Sequence, residues 1–106
     1  MDEVTDETFD DEVLASPLPV IVDFWAPWCR PCDAIEPHLS AIAAEHDGRV
    51  RLVRVNVDEN VAVASRYRVL ALPTVVLFTG GEPRETVHGA HGRTRYETAF
   101  APYLAA

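Results

Sequence analysis

Cys29 and Cys32 are the only cysteines of the chain, and they stand three positions apart in the stretch WAPWCRPCDAIEP, Trp25 to Pro37, with Arg30 and Pro31 between them. Two thiols at that spacing can form a structural clip, half of a metal site, or a reversible redox pair. As a clip the pair is weak, because closing so short a loop contributes roughly 2 kcal/mol on the chain-entropy view, against about 4.7 kcal/mol for a 100-residue loop. As a metal site it lacks ligands. Structural zinc takes four nitrogen or sulfur donors, usually two cysteine pairs or one pair with two closely spaced histidines. Here His38, His46, His88 and His91 are scattered; their ordinary reading is helix surface for the first two and a strand end and loop for the others. No metal is expected.

The redox reading makes positive demands that these residues meet. Cys29 falls where a helix is predicted to begin, and unpaired amide protons and the positive dipole end favour a thiolate there. Cys32, one turn later, can close the ring with it, and Pro31 holds the turn. The thiolate is the attacking species in disulfide exchange, so Cys29 is the candidate nucleophile and Cys32 the resolving thiol.

The elements that must position these residues alternate along the chain. A helix is predicted from about Thr8 to Ala15, capped by Thr5 or Asp6 and ended by Ser16-Pro17. VIVDFW, Val20 to Trp25, is an apolar run broken only by Asp23, the pattern of a strand buried on both faces of a mainly parallel sheet. A helix follows from about Pro31 to His46, with Ile35, Leu39 and Ile42 on one stripe and Gly48 past its end. Arg49 to Val57 alternates as a second strand, with Val53, Val55 and Val57 on one face and Leu52, Arg54 and Asn56 on the other. Asp58 to Tyr67 reads as a short helix and Thr74 to Phe78 as a third core strand. Gly80-Gly81 marks a hairpin into a strand over about Arg84 to His88, whose entry at Pro83 implies a sheet edge. The last helix, about Thr94 to Leu104, buries Tyr96, Phe100 and Tyr103 unless Pro102 kinks or ends it early. This succession describes an α/β sandwich with a mixed sheet. In open α/β sheets the working site lies beyond the carboxyl ends of the strands, and the cysteine pair begins just past VIVDFW.

Asp23 shares a strand face with Ile21 and Trp25, so burial is expected, and desolvation raises a carboxyl pKa toward the range useful for proton transfer. The alternative is a solvated acid on an edge strand.

With 106 residues and 48% hydrophobic content, the chain reads as a single domain over 1–106 with its own core. Nine basic residues, all arginine, against seventeen acids give a net charge of −8, which opposes binding to nucleic acid or an anionic membrane surface. No run approaches the ~18 apolar residues of a membrane span. The acidic start, MDEVTDETFDDE, has no basic region followed by an apolar one. The expected compartment is cytoplasmic, where stable disulfides are rare and a lone cysteine pair is more often catalytic or metal-binding.

VDFWAPWCRPC, Pro37 in the following helix, VNVDEN from Val55 to Asn60, LPT from Leu72 to Thr74, Gly81 and Gly89 form an ordered set over nearly the whole chain. That set resembles the thioredoxin family. The resemblance implies a thioredoxin fold, a central mixed four- to five-stranded sheet flanked by about four helices. It implies dithiol–disulfide exchange on protein substrates, with Cys29 attacking the client disulfide and Cys32 releasing it. It implies a cis peptide between Leu72 and Pro73, with Leu72 backbone groups pairing with the client chain, and Asp23 as the acid that takes the proton of the resolving thiol. Trp28, Arg30, Pro31, Ala71, Leu72, Pro73, Gly89 and Ala90 would form the contact surface, and Pro37 would kink the active-site helix. It also implies a protein-disulfide oxidoreductase without a cofactor of its own, recycled by a flavin- and NADPH-dependent thioredoxin reductase, acting on disulfide-containing clients and expected to be a monomer.

Three positions depart from the family pattern. Arg30 replaces a glycine and Asp33 a lysine around the cysteines. Arg30 favours the Cys29 thiolate and so a more oxidising couple, whereas Asp33 acts in reverse, and the two effects largely cancel. Arg54 stands where the family often has a lysine near the buried acid; it keeps the charge and can pair with Asp23, but cannot give up its proton. Other readings of the same fold are a disulfide oxidase or isomerase, a partner-specific binding subunit, and a metal-bridged dimer.

Overall fold

Residues 1–104 are described by a computed structural model, in which Val20–Trp25 forms β2 at the centre of the sheet. Its neighbours are β3 (Arg51–Asn56), parallel to it, and β4 (Thr74–Thr79), antiparallel. β1 (Asp2–Glu3) adds to β3 in parallel and β5 (Glu82–His88) to β4 antiparallel, so the order is β1-β3-β2-β4-β5. Helices α1 (Arg30–Glu45), α2 (Val61–Arg66) and α3 (Arg93–Leu104), with a helical turn at Asp10–Leu14, flank this mixed five-stranded sheet.

Because successive strand residues point to opposite faces, β2 feeds two cores. Ile21 packs with Ile35, Leu39 and Ile42 of α1 and with Tyr96, Phe100 and Leu104 of α3. Val20, Val22 and Phe24 pack on the other side with Phe9, Val13, Val63 and Phe78. Neither proline ends its helix: α1 runs through Pro37, and α3 continues past Pro102 to Leu104. Tyr103 is half-buried against the first core.

Several boundaries differ from expectation. β1 is a strand that two exposed acids gave no reason to anticipate. The first helix is a wider turn, in which the Ala15 N–H bonds Asp10 O five residues back; Phe9 and Val13 still share its buried side. Neither expected residue sits at its cap position, which Phe9 takes without a side-chain cap; Thr5 instead closes the turn just ahead, accepting the Thr8 N–H at 3.3 Å while its own N–H donates to Thr8 Oγ1 at 2.9 Å. Asp6 does not cap this turn. Its carboxylate accepts the Ala62 and Val63 amides at 3.3 and 2.9 Å and so caps α2. α2 itself starts at Val61 rather than Asp58, because the Asn56 side chain accepts the Asp58 N–H at 3.0 Å and holds the chain in a turn. β3 starts at Arg51, and β5 begins at Glu82, ahead of Pro83. An edge strand tolerates that proline, and the register shift opposite Leu77/Phe78 lies beside it. Gly80 and Gly81 both take positive φ, +57° and +82°, as a two-residue hairpin loop demands.

Candidate active site

α1 begins at the cysteine pair. Cys29 occupies the cap position in extended conformation, φ −91° and ψ 98°, and Pro31 sits in the first turn. The Cys32 N–H donates to Cys29 Sγ at 3.2 Å, so the sulfur holds the place of a capping oxygen on an otherwise unpaired helix amide. The two cysteines form a disulfide across a Cα–Cα distance of 5.4 Å. The Cys29 N–H is tied back to Ala26 O at 3.0 Å, which fixes the loop from β2. Both cysteines are buried with Ala26, and Trp25, Val57 and Leu72 pack against them. Arg30, Pro31 and Asp33 are exposed around them, and among the described residues Arg30 and Asp33 make no ion pair.

The second wall comes from the loop into β4. The Leu72–Pro73 peptide is cis, as the resemblance implies. Pro73 is buried, and its carbonyl accepts the Gly89 N–H at 2.9 Å. Gly89 has φ +82°, a conformation open to glycine, and its carbonyl accepts the Tyr96 hydroxyl at 3.1 Å. Leu72 thus touches the cysteine cluster while its own N–H and C=O make no backbone hydrogen bond among the described residues. Beside a disulfide, an unpaired backbone donor and acceptor suit an extended peptide added as a strand.

Trp28 is 68% exposed, and its ring N–H donates to Asp58 Oδ2 at 2.9 Å. From the sequence Asp58 stands within VNVDEN and at the expected start of a helix, with no role at the site. The signal was its place at the carboxyl end of a strand next to the cysteine loop, where the Val57 N–H bonds Trp25 O at 2.9 Å.

Asp23 is 2% exposed, and its Oδ1 has no hydrogen-bond partner. Burial raises its pKa to about 7; nearby Arg54 opposes the shift, and Glu36 and Glu3 add to it. Arg54 is the register partner of Asp23 on β3, yet no ion pair joins the two among the described residues. The expected pairing gives way because the guanidinium is bound elsewhere. Its Nε lies 2.7 Å from Glu3, with the N–H not aligned for a hydrogen bond, and its Nη1 lies 3.3 Å from Glu36. The guanidinium sits 3.5 Å over the Trp25 ring.

Comparison with known proteins agrees with this geometry. The thioredoxin family profile matches residues 1–101. The chain is 44% identical over 102 residues to Thioredoxin 1 of Nostoc sp., covering 96% of this chain and 95% of that protein. It is 48% identical over 101 residues to Thioredoxin 1 of Synechococcus elongatus, covering 95% and 94%. The chain belongs to the thioredoxin family. Thioredoxins are protein-disulfide oxidoreductases that act on disulfide clients and are reduced by thioredoxin reductase. The Cys29–Cys32 pair supplies dithiol–disulfide exchange here.

Proposed function

We propose that this thioredoxin-family protein reduces client protein disulfides with Cys29 as nucleophile and Cys32 as resolving thiol. The Cys29 thiolate attacks one sulfur of the client disulfide; an S–S bond forms to Cys29 and the other client sulfur leaves as thiolate. Cys32 then loses its proton to the Asp23 carboxylate and attacks Cys29 Sγ. The second client thiolate departs, the Cys29–Cys32 disulfide forms, and two electrons have passed to the client. A carboxyl near pKa 7 is divided between its two forms at neutral pH, which suits a group that must take up a proton and later return it.

The observation that carries this reading is the Cys29 sulfur accepting a helix N-terminal amide beside a Leu72 backbone left unpaired. Trp28, Arg30, Pro31, Leu72, Pro73 and Gly89 form the client-contacting rim, and Arg30 and Asp33 tune the couple. The chain works as a monomeric single domain over 1–106 in the cytoplasm, without a cofactor, and a flavin- and NADPH-dependent thioredoxin reductase returns its electrons.

NADPH-coupled reduction of insulin disulfides with a thioredoxin reductase tests it. Cys29→Ser loses activity and forms no mixed disulfide through Cys32. Cys32→Ser also loses turnover but accumulates a client-linked adduct through Cys29. Adducts at position 32 in place of 29 would reverse the assigned roles.

A further inference from the structure

One transverse row of the sheet reads Glu3, Arg54, Asp23 across β1, β3 and β2. Register partners on adjacent strands leave the same face, and the strands are about 4.8 Å apart, so Arg54 stands between two carboxylates. The inner one is buried with an oxygen lacking any partner, which an adjacent guanidinium would ordinarily satisfy. The guanidinium goes the other way. Glu3 holds its Nε at 2.7 Å from the outer side, Glu36 holds Nη1 at 3.3 Å from α1 above the row, and the Trp25 ring lies 3.5 Å beneath it. The Arg54 side chain is only 16% exposed, whereas those of Glu3 and Glu36 are 50% and 41% exposed.

We propose that Glu3 and Glu36 are positioning residues for the proton step, holding Arg54 against Trp25 and off Asp23 so that the Asp23 carboxyl stays free to exchange a proton. The inference rests on the reading of Asp23 as the acceptor of the Cys32 proton. The groups acting on Asp23 from the surrounding elements are Arg54 on β3, Glu3 on β1 and Glu36 on α1. Tyr96 on α3 feels the Asp23 charge, β4 places apolar Val75 in register with it, and Ile21 and Trp25 flank it on its own strand. Arg54 is the one cation in that set. Where it points therefore decides whether Asp23 is a neutral acid able to cycle or the ionised half of a salt bridge. Neutralising both acids releases the guanidinium toward the partnerless oxygen.

A double-mutant cycle tests this, with the carboxyl titration of Asp23 followed by carbon-13 NMR in the oxidised protein. Glu3→Gln/Glu36→Gln is expected to lower the proton affinity of Asp23 by about tenfold, one pH unit. In an Arg54→Met background, which keeps the stem on Trp25, the same pair of changes should lower it by about threefold or less, the part due to two lost field charges alone. Equal drops in both backgrounds, or no drop in either, overturn the proposal. The underlying reading is decided separately by the pH profile for attack of Cys32 on a mixed disulfide at Cys29, in the native chain and in Asp23→Asn. A profile that loses its acidic limb in Asp23→Asn supports the acceptor role, and the Glu3/Glu36 pair should then shift that limb in parallel with the titration. A limb unchanged by Asp23→Asn removes the acceptor role and with it the catalytic consequence, whatever the cycle shows about Arg54.

Discussion

At Asp23, burial and the nearby carboxylates outweigh the neighbouring arginine, and a pKa raised from 3.8 to about 7 is also a statement about stability. Between these values the folded chain keeps a proton that the unfolded chain has released, so unfolding becomes easier as pH rises. The stabilisation is complete below about pH 4 and is lost as pH passes through 7; three pKa units correspond to on the order of 4 kcal/mol. Asp23→Asn, which has no charge to bury, should therefore unfold at higher urea concentration than the native chain at pH 8 and lose its decline between pH 4 and 7. A variant less stable than the native chain at pH 8 would contradict this. Arg30 and Asp33 are exposed, and the proposed tuning of the cysteine couple gives them opposite sign. If each is worth about 0.3 to 1 kcal/mol, each moves the potential by roughly 6 to 20 mV. Equilibration with glutathione should show Arg30→Gly more reducing by that amount and Asp33→Asn more oxidising. The native couple should then be reducing and within a few tens of millivolts of ordinary thioredoxins; a strongly oxidising potential would fit an oxidase instead.

Among the elements, α2 shows how a short helix depends on a distant residue. Its six residues, Val61–Arg66, are too few to be stable alone, and its N-cap residue Asn60 makes no side-chain cap. The cap comes from Asp6, while the Asn60 side chain accepts the Asp6 N–H at 2.9 Å and donates to Asn56 O at 3.0 Å. Asp6→Ala should cost about 1 kcal/mol in chemical denaturation, the usual value of a lost cap, and should speed hydrogen exchange at Ala62 and Val63. If exchange there is unchanged, the cap does not hold the helix. α1 contrasts with it: its cap is the sulfur of Cys29, one half of the disulfide pair, so the feature that starts this helix is also the one proposed to attack the client.

For the whole molecule, the sheet has a core on each face, and the two share every central strand. Leu39 represents the face covered by α1 and α3, and Phe9 the face covered by the N-terminal turn and α2. Both are fully buried. Leu39→Ala should cost about 2 to 5 kcal/mol and Phe9→Ala about 3 to 5 kcal/mol. Each should shift one urea transition, seen alike by fluorescence and circular dichroism, because a strand cannot lose one face and keep the other. Two separate transitions in either variant would mean that the faces unfold independently, against the single-domain reading.

What depends on near neighbours is legible in the order of the residues. The apolar run of Val20 to Trp25 specified a doubly buried strand, Pro31 and the i, i+4, i+7 stripe specified the helix that starts at the cysteines, and Gly80-Gly81 specified the hairpin. These signals are local in cause, arising from side-chain periodicity and backbone sterics, and the family resemblance extended them to the cis peptide at Pro73. The pairings between distant segments arise when the chain assembles. Two exposed acids become β1 because β3 offers a free edge, Asp6 caps a helix more than fifty positions away, Asp58 meets the Trp28 ring, and Arg54 turns from Asp23 to Glu3 and Glu36. A charged residue surrounded by candidate partners carries no periodic signal. Which partner it takes follows from where the sheet and α1 place each carboxylate, and that depends on the assembled fold.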